Sequence, residues 1–111
     1  MIRSPTRVPI KLKVRTAIER IVRENLSRYG LDKITIEPRE DHDGDPAIFI
    51  DAEYHLSDEP VDPQVTLATQ SMLLDRLFAL GEARFAYLRN HFPDGQKVLG
   101  DRARGSPRRR A

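Results

Sequence analysis

The 111-residue chain contains no cysteine. That excludes disulfides, thiol nucleophiles and thiolate metal sites, and it suits a cytoplasmic protein. No apolar run approaches the roughly 20 residues needed to cross a bilayer, so no membrane partner is expected. The opening MIRSPTRVPIK is charged but leads into no apolar segment, unlike a secretory signal. Aromatic residues are only 6% of the chain, which is thin for recognising bases by stacking. The GxSxG, P-loop and GxGxxG patterns are all missing, and no cofactor is expected.

Charge is plentiful, and it is segregated. Charged residues make up 32% of the chain, and the formal net charge is +2. Residues 1–30 carry eight Arg/Lys against two Glu, whereas residues 31–62 carry two Arg/Lys against eleven Asp/Glu. Residues 63–111 return to nine Arg/Lys against four Asp/Glu. Such separation implies distinct acidic and basic faces, or segments that neutralise each other on folding.

The length fits one domain. Residues 1–9, with Pro5 and Pro9, form a lead-in. From Val14 to Tyr29 apolar residues recur at steps of three and four, which predicts a helix over about 10–29 stopped by Gly30. Ile34 and Ile36 alternate with polar residues in a strand of about 33–38, and Pro38 ends its regular pairing or marks an edge position. Alternation over Ile48, Ile50, Ala52, Tyr54 and Leu56 predicts a second strand of about 47–56, and Asp43-Gly44 a hairpin turn between the two. Asp62-Pro63 opens a second helix over 63–80, closed by Gly81. Its apolar face, widened by Leu67, Leu74 and Phe78, predicts the more buried of the two helices. RFAYLRNHF fits either period, and a third strand at about 84–92 is preferred because a lone hairpin is marginal. Residues 100–111, rich in Arg with no apolar side chain larger than Ala, are expected to be a disordered tail. The fold class is therefore a two-layer α+β domain spanning 10–99, with two helices on one face of a small antiparallel sheet.

Candidate chemistry centres on the acidic turn. Asp41, Asp43 and Asp45 lie close together, but they lack the spacing of an EF-hand loop and its distal Glu, so no metal site is assigned. Phe49 sits on the polar face of its strand, beside Asp51 and Glu53, where an aromatic can anchor a partner. Asp51 and Glu53 share that face as candidates for acid–base work, provided a pocket gathers them. His42, His55 and His91 show no metal-ligand spacing, and no catalytic residue is assigned. The Arg-rich ends offer salt-dependent contacts to phosphate, without a recognition helix to read sequence.

The segment EDHDGDPAIFIDAEYHL, followed by a capped helix and GEARFAYL, resembles small uncharacterised bacterial proteins with a D-x-D-G-D-P hairpin and a later G-E-x-R-F element. The matching positions are Asp41, Asp43, Gly44, Asp45, Pro46, Gly81, Glu82, Arg84 and Phe85, and the likeness covers about residues 34–92. Such proteins are similar to partners of toxin-like domains in toxin–antitoxin systems. The resemblance implies an antitoxin-like or accessory role and no catalytic residue. Three readings stand at this point. The first is an interaction protein that docks a basic, toxin-like protein partner on Asp41, Asp43, Asp45, Phe49, Asp51 and Glu53. The second is a weak nucleic-acid binder using helix 1 and the tail. The third is a small enzyme with a carboxylate-lined site. Self-association is left open.

Overall fold

A computed structural model describes residues 8–100; the segment 101–111, expected to be a disordered tail, lies outside the described residues, as do residues 1–7 of the lead-in. The first helix, α1, runs Leu12–Leu26. It begins two residues later than the periodicity suggests because Lys11 is extended, with φ −63 and ψ 147. Ile10 reaches the core all the same, from non-helical backbone. Val14, Ile18, Val22 and Leu26 form the buried stripe of α1. A single 3₁₀ turn over Ser27–Tyr29 then leads to Gly30 at φ +88. No side chain fits there: a Cβ would stand 2.6 Å from the carbonyl oxygen of His55. The His55 N–H donates to Gly30 O at 2.7 Å, locking the end of α1 onto the sheet.

Strand β1 (Leu31–Glu40) pairs antiparallel with β2 (Pro46–Tyr54), Ile36 opposite Ile50 and Glu37 opposite Phe49. Pro38 lies inside β1, which continues to Glu40. It is tolerated because β1 is an edge strand, so its missing N–H breaks no ladder. Helix α2 spans Pro63–Ala79, and the Asp62 carboxylate accepts from the Gln64 N–H, capping it. Strand β3 (Phe85–His91) follows, giving the order β1-β2-β3.

Three expectations are corrected. The sheet is mixed rather than antiparallel: β3 runs parallel to β2, Ala47 opposite Phe85 and Glu53 opposite His91. Helix α2 carries the chain back along the sheet, so β3 restarts at the end where β2 began; this is a β-α-β crossover. Leu56 does not extend the strand. The chain leaves the sheet after Tyr54, and Leu56 faces solvent. Nor is α2 the more buried helix: Leu67 is 69% and Phe78 82% exposed, and its buried residues are only Thr69, Leu73 and Leu77. A helix lying on a three-stranded sheet has one face to bury, and α2 is apolar over more than that face.

Both helices cover the same side. The core joins their stripes to Ile36, Ile48, Ile50, Ala52, Tyr54 and Ala86, which alternate along the three strands. The segment after β3 folds back to hold the β2–α2 loop. Phe92 stacks on Tyr54 with ring centroids 4.1 Å apart, Gln96 accepts from the Ser57 N–H, and Val98 pairs with Val61. The free edge of β3 is closed by a side chain. Gln70 of α2 donates to Ala86 O at 2.7 Å and accepts from the Leu88 N–H at 2.9 Å. Its amide thus satisfies the edge as a neighbouring strand would.

Candidate binding site on the open sheet face

With both helices on one side, no helix among the described residues covers the other face of the sheet. Period-two alternation and the strand register bring Glu37 and Arg39, Phe49 and Asp51, and Phe85, Tyr87, Arg89 and His91 to that face. Phe49, at its centre, is half-buried. Its ring stacks on Tyr87 at 5.1 Å, and the guanidinium groups of Arg39 and Arg89 each lie 4.8 Å from its centroid. Phe85 continues the row, 4.7 Å from Tyr87. Phe49 is thus one member of an aromatic and guanidinium cluster rather than an isolated apolar residue on a polar face.

The acidic residues separate into two groups. At the turn, Asp41 serves the hairpin itself. Its Oδ1 accepts from the N–H groups of Asp43 and Asp45 at 2.9 and 3.0 Å, and its Oδ2 from the Tyr87 hydroxyl at 3.2 Å. The N–H groups, that of Asp45 first, hold the Asp41 carboxyl below the usual carboxylate range. Desolvation, and then the Asp41 carboxylate beside it, push the Tyr87 phenol up. Gly44, at φ +85, makes the tight reversal. Asp43 and Asp45 point to solvent.

The second group lies toward the far end of β2. Asp51, with its side chain 16% exposed, accepts two hydrogen bonds from Arg89 at 2.8 and 3.0 Å. His91 Nε2 is 2.8 Å from the same carboxylate. The Arg89 hydrogen bond, foremost, lowers the Asp51 pKa. Glu53 is exposed between Lys33 and His91 in the register. Of the two candidate acid–base carboxylates, Asp51 therefore belongs to an ion-pair cluster on an open face, and Glu53 stands outside that cluster. Among the described residues, no three His, Asp or Glu side chains gather to hold a metal ion.

Where the turn meets β3 there is a cleft of about 520 Å³, lined by Asp41, Asp43 and Asp45 on one side and Phe85 and Tyr87 on the other. Arg84 closes its back. That guanidinium is already committed, paired with Glu82 at 2.8 Å and donating to Val8 O at 2.7 Å. Sequence reasoning singled out Asp41, Asp43, Asp45 and Phe49 as candidates but did not join Phe85, Tyr87, Arg39 and Arg89 to them on one surface. The alternation in RFAYLRNH carries the signal for β3, yet only its pairing with β2 puts Tyr87 against Phe49. No family model, no curated protein and no solved structure matches this chain.

Proposed function

We propose that this protein is a non-catalytic interaction module that grips a basic segment of a protein partner in the cleft between the acidic turn and the Phe85–Tyr87 wall. The observation that carries this reading is the convergence of three turn carboxylates and two aromatic rings on one cleft. A Lys or Arg side chain entering it meets ring faces, each worth about 0.5–1 kcal/mol at an exposed site, together with the exposed carboxylates of Asp45 and of Asp43, the latter 3.8 Å from His42 Nε2. Asp41 holds the turn in shape, and Phe49 supports Tyr87 from behind. Asp51 and Glu53 lie outside the cleft and act as flanking charge. The resemblance to partners of toxin-like domains supplies the partner class: a folded domain with an exposed basic loop, to which this chain is antitoxin-like or accessory.

The test is a pull-down from the native host, followed by association and dissociation kinetics with the captured protein. Asp43→Lys with Asp45→Lys should slow association and alter its salt dependence, because rim charges act mainly on encounter. Tyr87→Ala should instead speed dissociation by removing a desolvated contact. If both variants bind like the parent, the cleft is not the docking site.

A further inference from the structure

We propose a second binding site, on the helical layer: the groove between α1 and α2 takes an acidic amphipathic helix from a partner protein. The helices run antiparallel, with Asn25 of α1 against Met72 of α2 and Ile21 and Ala17 of α1 toward Arg76 and Leu80 of α2. Between them lies a groove of about 410 Å³. Its floor is apolar, built from Ala17, Ile21 and Leu80, and Leu12 stands at one end, 77% exposed. Ala17 is small, so the floor dips where a larger side chain would have filled it.

The rim has one sign of charge. Lys13 and Arg20 from α1 and Arg76 from α2 line the groove, and no carboxylate does. None of the three forms an ion pair among the described residues. An apolar trough edged by unpaired cations complements an apolar stripe flanked by Asp and Glu. The shape favours a helix as the occupant. The α1 wall from Leu12 to Ile21 is roughly 14 Å long at 1.5 Å per residue, which matches anchors at i, i+4 and i+7 of a docked helix. A trough between two helices also seats the ridge of a third. This site is independent of the sheet-face cleft, and either can fail without the other.

The test uses the full chain, isotopically labelled and titrated with a synthetic 18-residue helical peptide. The peptide carries Leu at positions i, i+3, i+4 and i+7 and Glu on its remaining face; a counterpart carries Lys in place of Glu. The expected result is saturable amide shifts confined to Lys13–Ile21 and Arg76–Leu80. Affinity should fall tenfold or more in Arg20→Glu with Arg76→Glu, and the Lys peptide should leave the spectrum unchanged. Ala17→Gln should weaken binding without changing charge, and thermal melting checks that each variant is folded. Shifts that do not saturate at millimolar peptide, that fall on the sheet face, or that are equal for the Lys peptide would overturn the proposal. Self-association through the same residues without peptide would assign the groove to a second copy. Saturable binding to phosphatidylglycerol vesicles while the peptide has no effect would assign it to an anionic lipid surface. Each of these outcomes also overturns the proposal.

Discussion

Replacing Gln70 tests how the sheet edge is held. The Gln70 amide makes two hydrogen bonds to β3, donating to Ala86 O and accepting from the Leu88 N–H. Gln70→Ala removes both. Each is worth about 0.5–1.5 kcal/mol net, and water can reach part of the edge, so the loss should be about 1–2 kcal/mol. For a domain of this size that lowers the melting temperature by roughly 5–15 °C. Gln70→Glu is the sharper variant. Its carboxylate still accepts from the Leu88 N–H, but it has no hydrogen to offer Ala86 O and sets two acceptors against each other. At neutral pH it should be less stable than Gln70→Ala. Folding then favours the protonated acid, which can donate to Ala86 O, so the folded pKa lies above the unfolded value. The sign follows: Gln70→Glu recovers stability as pH falls from 7 toward 4, and Gln70→Ala shows no such relative gain. Melting curves at several pH values measure both, and sedimentation shows whether the opened edge drives pairing of chains. Equal melting of parent and both variants at pH 7 would refute the reasoning.

Two further outcomes follow from the structure. Gly30→Ala should cost about 2–4 kcal/mol, combining left-handed strain with a Cβ set 2.6 Å from His55 O; Gly44→Ala, at a similar φ with nothing near its Cβ, should cost only about 1–2 kcal/mol, as denaturant melts will show. Asp41, Asp51 and Glu82 all have lowered pKa values in the fold, so the stability they confer is complete above their unfolded values of about 4 and is lost as pH falls through the lower folded ones; acid unfolding followed by circular dichroism should begin below about pH 4 and shift in Asp51→Asn.

Local periodicity made most of the fold legible. The alternation of Ile48, Ile50, Ala52 and Tyr54 set the core face of β2, and all four are buried. The step of three and four from Val14 to Leu26 set the face of α1. The direction of β3 was not legible from its own residues, because strand polarity depends on what connects the strands. Reading α2 as a crossover rather than as one half of a helical layer would have supplied it. The burial of α2 was misjudged for a related reason: apolar content counts what a helix can bury, while its neighbours decide what it does bury. Asp41, Asp43 and Asp45 were found as a charged turn, but the second bond of the Asp41 carboxylate, at Oδ2, comes from Tyr87, and Tyr87 reaches it only through the parallel register.

The crossover also orders events in time. Joining β1 to β2 closes a short turn between Glu40 and Pro46. Setting β3 beside β2 brings together residues such as Tyr54 and Asn90, 36 positions apart. The longer closure costs roughly 1.5 kcal/mol more in chain entropy, so the hairpin forms early and β3 docks late. The aromatic wall of the cleft is carried on β3. By this order it should be the last part of the molecule to be assembled and the first to fray, and a partner seated there would tie itself to the least persistent strand. Amide hydrogen exchange should be faster along Phe85–His91 than along the hairpin, and partner binding should bring the two rates together; slow exchange in β3 of the free protein would contradict this order.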